Sequence, residues 1–532
     1  MTGPEKNPDP ALRAVISRGY RPNGRVCPRK NKKENQTDMK KALSVIMALL
    51  FAVLLLATSC AEKKQGDDTT APVTTAAAAP DSTEPAETEP QFVFKDYGGA
   101  TFTVYMRSET SGSYPGRYID TEEVSEHISS EVYRRNSIIE QAFGVDIQTI
   151  QVSDPYKTVV TDISGGTVEY DLLLDRRVNL AGLAKQGALH DLNEMGWDYS
   201  KPWWDSKSAE QYEIGGKLYV VSNDVSVANL SGARFFYFNK KMVDDRKLYD
   251  PYELASKNEW VLDKFLEMVS GVENTEPEGT LGIYGLLMET GASNGNYIHL
   301  LTGCGVRQTT WVDGKLVTAF ETDVEKIQNV FDKVKPVFEN PALTLTYDQA
   351  EKIDSSGTFP NKYDRGRSRF AQGHFLFVQN GMGVAAQFAD MEGDGYGVIP
   401  NPKYDSDQPE YAHKIDKYSL IWAVPEATGT VDFERVSLIM DYWAYQSSLT
   451  VMPAFYEITI KTKRVSDPIA PQMLDIVKDT ICYELADLFG IKVADGLDKA
   501  YTTGSVTRIA GGTVTSLNSD IENLMLSFRN SD

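Results

Sequence analysis

The chain has 532 residues and a formal charge of −21, from 54 Lys and Arg against 75 Asp and Glu. That acidity argues against a nucleic-acid-binding protein, which relies on basic surface, and five scattered histidines without HExxH or CxxC argue against a transition-metal site. Apolar residues at 41% supply a core, and the length exceeds what one core usually supports, so at least two domains are expected.

In chain order, residues 1–38 are polar and basic, and no targeting signal needs them. They are expected to be a mis-assigned leader before a start at Met39. Met39-Lys40-Lys41 supplies positive charge, and Ala42 to Ala57 is a run of sixteen nearly apolar residues. A membrane span needs about 20, so the run has the form of a secretory signal ending in small residues. Leu56-Ala57-Thr58-Ser59-Cys60 resembles a bacterial lipoprotein signal, with Leu one place further from the cysteine than usual. The resemblance implies a signal peptide over 39–60 and a mature chain whose first residue, Cys60, carries acyl chains such as palmitate. Two or more chains hold a protein stably on a bilayer.

Residues 61–91 are expected to be a disordered Thr/Ala/Pro/Glu linker, since their composition cannot bury enough apolar surface to fold. As a coil it spans about 30 Å, which puts the body near a membrane but not in it. The first 60 residues hold 11 Lys and Arg against 4 Asp and Glu, which leaves −28 on the rest. Beyond Cys60, only Cys304 and Cys482 remain, with room for one disulfide.

The body opens with a strand from Thr101 to Met106, alternating and rich in β-branched and aromatic residues. A helix from about Ser125 to Phe143 follows, with Ile128, Val132, Tyr133, Ile139 and Phe143 at helical spacing and Gly144 as its stop. "VDIQTIQV" and "YDLLLDR" (170–176) read as strands, and "NLAGLAKQGAL" as the helix after them. This β-α-β-α order gives a mostly parallel sheet, with ligands expected beyond the carboxyl ends of its strands, at Arg107-Ser108 and Asp175-Arg176.

Five segments then carry a resemblance: "YDLLLDRRVNLAGLAKQGALHDLNE", "GGKLYVVSNDVSVANLSGARFFYFNKKMVDD" (215–245), "NEWVLDKFLEMVSGV" (258–272), "FAQGHFLFVQNGMGVAA" (370–386) and "GYGVIPNPKY" (395–404). Their order is similar to that of extracellular solute-binding proteins of the maltodextrin-binding class (family 1), the capture components of ABC importers. Ser222 stands where the hairpin of that class often has Pro, and 340–370 and 460–532 hold extra sequence. The resemblance implies an α/β, two-lobed periplasmic-binding-protein-like (type II) fold with hinge-connected, discontinuous lobes. Lobe 1 is 92–226 plus 400–455, and lobe 2 is 227–399 plus 456–532.

A sugar offers hydroxyls around its rim and an apolar C–H face, so its site needs planar hydrogen-bonding groups and aromatic rings. The resemblance places an acid–base ligand pair at Asp175 and Arg176, and another customary contact at Arg107. Asp224 and Asn229 flank the first lobe crossing. Lobe 2 offers Asn296, Tyr297, Gln387 and Phe388, the returning strand Tyr418 and Trp422, and a lobe-1 loop Trp203-Trp204. Trp260 reads as core. The implied function is capture of a sugar or oligosaccharide by a monomeric, lipid-anchored, non-enzymatic receptor that needs no cofactor or metal and delivers to ABC permease subunits.

The alternatives are a peptide or polyol as solute, a surface glycan hydrolase or esterase, and a structural lipoprotein. "GASNG" (291–295) satisfies G-x-S-x-G, with Ser293 as nucleophile and His374 and His413 downstream. "DMEGDG" and "YDSDQPE" cluster oxygens without EF-hand spacing and read as solvated loops.

Overall fold

The computed structural model describes residues 90–108, 118–121, 127–277, 279–388, 391, 395–427, 429–461 and 467–529. The leader, the signal with Cys60 and the linker up to 89 lie outside them. Among the described residues no helix is long and apolar enough to cross a membrane.

The first sheet forms from β1 (Ala100–Arg107), β2 (Val145–Val152), β3 (Leu172–Arg176) and a later strand, β12 (Leu420–Ala423). β1 is its spine, parallel to β2 with Ala100 opposite Val145 and to β3 with Val104 opposite Leu172. β12 runs antiparallel to β3, with Trp422 opposite Leu174, and Val221 bridges Trp422 on the far edge. β12 is an unbroken apolar run, and β3 is one up to Asp175-Arg176, as suits strands covered on both faces.

Helix α1 (His127–Phe143) packs one of those faces. Its inward row is Ile128, Val132, Arg135, Asn136, Ile139 and Phe143. Tyr133, expected on that row, is 49% exposed instead. Residues four and seven apart share a face, whereas 132 and 133 point about 100° apart. The arginine is buried because each of its N–H groups finds an acceptor. Nε meets Asn136 Oδ1 (3.0 Å), and Nη1 meets Val225 O and Ser447 Oγ (both 3.3 Å). Nη2 meets Tyr118 O (2.9 Å) and Ile119 O (2.6 Å). The side chain also lies 5.3 Å from the Trp443 ring.

The second sheet contains β4 (Phe235–Asn239), β5 (Tyr284–Met288), β8 (Thr344–Thr346), β9 (Phe375–Asn380) and β10 (Tyr396–Ile399), in the order β10-β4-β9-β5-β8. All residues of β4, β5, β9 and β10 are buried. Trp260 precedes its covering helix and is core, donating from Nε1 to Pro400 O (2.7 Å). β6 (Thr309–Val312) and β7 (Lys315–Thr318) form a separate hairpin, and β11 (His413–Lys414) pairs with β13 (Ile481–Cys482).

Several helices place functional groups. They are α2 (Arg177–Ala184), α3 (Ser206–Tyr212), α4 (Ala228–Gly232), α5 (Asn296–Gly303), α6 (Tyr347–Ile353), α7 (Lys362–Ala371), α8 (Phe433–Leu449), α9 (Val451–Lys461), α10 (Ala470–Asp479), α11 (Leu485–Phe489), α12 (Val493–Thr503) and α13 (Val506–Arg529). The helix expected to reach Leu189 ends at Ala184, because Gly187 takes a left-handed φ of 67°. The chain passes from the first sheet to the second through α4 and returns between β10 and β12. Each lobe is therefore built from separated stretches.

Candidate functional site

β3 and β5, one strand from each lobe, deliver their carboxyl ends to the same residue, Asp416, in the returning crossing. Arg177, the first residue of α2 after β3, donates from Nη1 to Asp416 O (3.0 Å). Asn294, in the loop after β5, donates from Nδ2 to Asp416 Oδ2 (2.9 Å). Arg234, at the threshold of β4, donates from Nη2 to that oxygen (2.7 Å) and from Nη1 to Glu289 Oε2 (3.1 Å). The other oxygen of Asp416 takes Tyr418 N (2.9 Å). Burial pushes the Glu289 carboxyl up, Arg234 pulls it down, and Asp416 pushes it up again.

On the lobe 1 side, Arg107 ends β1 and donates from Nε to Asp175 Oδ1 (2.5 Å), with Nη1 on Ser153 O and Nη2 3.4 Å from Asp154. Asp175 also takes Arg176 N (2.7 Å) and Asn179 Nδ2 (2.9 Å). Arg176 is half-buried, its guanidinium 5.1 Å from the centre of the Tyr418 ring. Lys417 lies 5.1 Å from the same ring.

On the lobe 2 side, Tyr347 opens α6 and accepts from Asn380 Nδ2 (3.2 Å). The half-buried Tyr363 ring sits 5.1 Å from it, tilted by 60°. Arg367, on α7, donates from Nε to Gln387 Oε1 (2.7 Å) and from Nη2 to Asp364 (2.5 Å). A half-buried rim carries Glu289, Tyr363 and Arg367 on the lobe 2 side and Arg176 and Tyr418 on the lobe 1 side, and Asp416 is bonded from both through Arg177, Arg234 and Asn294.

No family model matches the chain, and no curated protein matches it. Solved structures do. The galacto-N-biose/lacto-N-biose I-binding protein of the ABC transporter from Bifidobacterium longum aligns with a TM-score of 0.53 at 14% identity, over 81% of this chain and 99% of that one. The cyclic α-maltosyl-1,6-maltose-binding protein from Arthrobacter globiformis gives 0.51 at 16%, over 80% and 100%. An ABC substrate-binding protein from Listeria monocytogenes, in complex with cycloalternan, gives 0.50 at 12%, over 80% and 99%. The chain has the two-lobed fold of ABC solute-binding proteins.

Within this solute-binding-protein fold, the residues expected at the ligand fall into two groups. Arg107, Asp175, Arg176, Tyr418 and Gln387 lie at the strand ends and rim just described. The others are held in packing. Trp203 and Trp204 both donate from Nε1 to Asp441 Oδ1 (2.8 Å), and Trp204 packs 4.7 Å from Trp197. Tyr297 stacks on Tyr501 at 4.0 Å and hydrogen-bonds Asp498. Phe388 is edge-on to Tyr237 and Phe370, each at 4.9 Å. Trp422 lies 6.3 Å from Trp443 inside lobe 1. Asn296 accepts from Glu289 N (2.9 Å), so it fixes the carboxylate-bearing turn from behind.

Asn229 sits in the hinge, taking Arg177 Nη2 (2.6 Å) and donating to Ser222 Oγ and to Tyr483 Oη (2.6 Å). Asp224 lies beside it, its carboxyl pushed up to about 7 by burial, against Lys478 and with Asp205.

Glu289, Asp416, Arg234, Tyr363 and Arg367 were missed from sequence. The available signal was position, since Glu289 is the first residue after β5 and Tyr363 sits in the first turn of α7.

The nucleophile pattern at Ser293 falls in a seven-residue loop between β5 and α5 rather than a tight elbow. Among the described residues no hydrogen bond joins Ser293 to a histidine. His374 meets Gly282 O (2.8 Å), and His413 meets Asn401 N (3.0 Å) and Thr480 Oγ1 (2.8 Å). Cys304 and Cys482 are free thiols. Among the described residues no group of His, Cys, Asp or Glu could hold a metal. In "YDSDQPE", Asp405 caps Asp407 N (3.0 Å) and Gln408 N (3.1 Å), and most of "DMEGDG" lies outside the described residues.

Proposed function

We propose that this chain is a lipid-anchored receptor that captures a sugar or oligosaccharide between its lobes and hands it to an ABC permease. The observation that carries the reading is the meeting of both lobes on Asp416, with charged and aromatic groups on either side. Carboxylates and guanidinium groups suit the bidentate hydrogen bonding of vicinal hydroxyls. The Tyr363 and Tyr418 rings suit the apolar face of a pyranose. The neighbours' sugar complexes point the same way. Lobe 1 is taken as 92–226 plus 400–455 and lobe 2 as 227–399 plus 456–532. Lobe closure follows from a ligand that touches both walls, because it stabilises the shut form only through its preference for that form.

A thermal-shift screen of the purified protein against a saccharide library tests the substrate. A ligand of the native state adds about 2.7 kcal/mol at one hundred times Kd, and a peptide or polyol that shifts the midpoint where no saccharide does would replace the sugar. Anchoring has its own test. Cys60→Ala releases the protein from membranes and abolishes incorporation of labelled palmitate.

A further inference from the structure

The loop between β5 and α5 carries Glu289 to the rim and Asn294 to Asp416, so its shape decides what a solute meets. It closes on itself. Asn296 Oδ1 accepts from Glu289 N (2.9 Å), Asn296 N donates to Glu289 O (3.0 Å), and Gly295 N donates to Gly291 O (2.8 Å). Gly291 takes a φ of 101°, which only glycine adopts readily, and a Cβ on Gly295 would lie 2.7 Å from Gly291 O. Gly291 is the corner of the loop, and its amide points to a partner outside the loop.

That partner is Tyr297, whose hydroxyl oxygen accepts from Gly291 N (2.9 Å) and whose proton goes to Asp498. Burial, and then the hydrogen bond to Asp498, pushes the Tyr297 hydroxyl up, so it stays protonated. A hydroxyl has one proton to give, and placing it on Asp498 leaves the oxygen's lone pairs for Gly291. Asp498 and Tyr501 stand three apart on α12 and share a face. The Tyr501 ring stacks on Tyr297 at 4.0 Å, 6° from parallel. α12 therefore holds Tyr297 by ring and by hydroxyl, and this helix belongs to the extra sequence beyond 460. A second tie from the same stretch reaches the loop at Ser293. Asp487 pairs with Lys414 (2.8 Å), whose Nζ also donates to Ser293 O (3.3 Å).

We propose that Asp498 is a positioning residue for solute binding: through the Tyr297 hydroxyl it fixes Gly291, and with it the loop that presents Glu289 and Asn294. This rests on the reading of the rim as a sugar site. A loop already held in its binding shape is spared the entropy of ordering when solute arrives, so loss of the brace is read as loss of affinity.

Calorimetric titration with a panel of neutral mono- to tetrasaccharides, paired with hydrogen exchange of the unliganded protein, tests the brace. Asp498 is half-buried and lines the groove between α12 and α13, so Asp498→Ala opens onto solvent and is expected to fold. Its affinity for a saccharide that the parent binds should fall about tenfold, the worth of one hydrogen bond to a charged group. Amides of 290–295 should exchange faster than in the parent, and those of β5 should not. Asp498→Asn keeps an acceptor for the hydroxyl and should lose less than about threefold. Tyr297→Phe should reproduce the tenfold loss, and Asp498→Ala added to it should cost nothing more. Unchanged loop exchange in Asp498→Ala, additive losses in the double variant, or a lower urea midpoint with parental affinity each overturn the proposal. If Asp498→Ala does not fold, Tyr297→Phe is read by the same two measurements. If the parent binds no saccharide, the receptor reading falls, and the exchange comparison alone decides the brace.

Discussion

Single residues carry opposing burdens at the junction. Arg234 neutralises Asp416, with a side chain 1% exposed, and Glu289, with a side chain 14% exposed. Removing one partner of such a set leaves an uncompensated charge, which costs about 3–5 kcal/mol. Arg234→Ala is expected to lose that much in urea unfolding, whereas the more accessible Glu289→Gln loses less stability but weakens solute binding. Arg135 is a second such case. Lysine offers three donors where arginine fills five, so Arg135→Lys should cost about 3 kcal/mol through unmet carbonyls. A loss under 0.5 kcal/mol in the same assay would contradict that role.

His413 gives a pH prediction. It is fully buried and its ring is pushed down to about 3 by burial. Between that value and the unfolded imidazole's near 6.5, the unfolded chain binds the extra proton. Stability should fall as pH drops through that window and level off above it. Unfolding midpoints from pH 7.5 to 4 check this, and His413→Gln should flatten the slope.

At the scale of elements, the lobe 1 core was legible because its periodicities are clean. β1 alternates, β3 is apolar up to its Asp175-Arg176 end, and α1 repeats every three to four residues. The aromatic contacts were not, because a ring looks alike in a wall and in a core. Trp422 lies in β12, both faces of which are covered, and Tyr297 enters a stack with Tyr501 from the far C-terminal helix α12. Glu289 and Asp416 each stand alone in their segments, so periodicity does not mark them.

The segment from β13 to α11 was also hidden. It lies late in the chain, yet Tyr483 N donates to Gln211 of α3 (2.9 Å) and Phe489 O accepts from Lys185 Nζ (2.8 Å). Tyr483→Phe removes the hydroxyl shared by Asp205 and Asn229. That change is expected to cost about 1–3 kcal/mol, the loss of partners for buried polar groups, read as a lower denaturant midpoint with an unchanged slope.

For the whole molecule, segment order was more informative than any residue. Five short stretches in sequence announced two lobes with returning crossings, and two separate sheets carry them. What sequence order did not convey is how closely lobe 1, the hinge and the C-terminal helices are stitched together by buried polar groups. Fully satisfied, such buried polar networks rigidify and specify the arrangement they join.

The most direct test of the account is calorimetric titration of the mature protein with a saccharide panel. The account predicts one-to-one binding of at least one saccharide, lost in Asp416→Asn and weakened in Arg176→Ala. An absence of binding across the panel, or affinity unaltered in both variants, would contradict it.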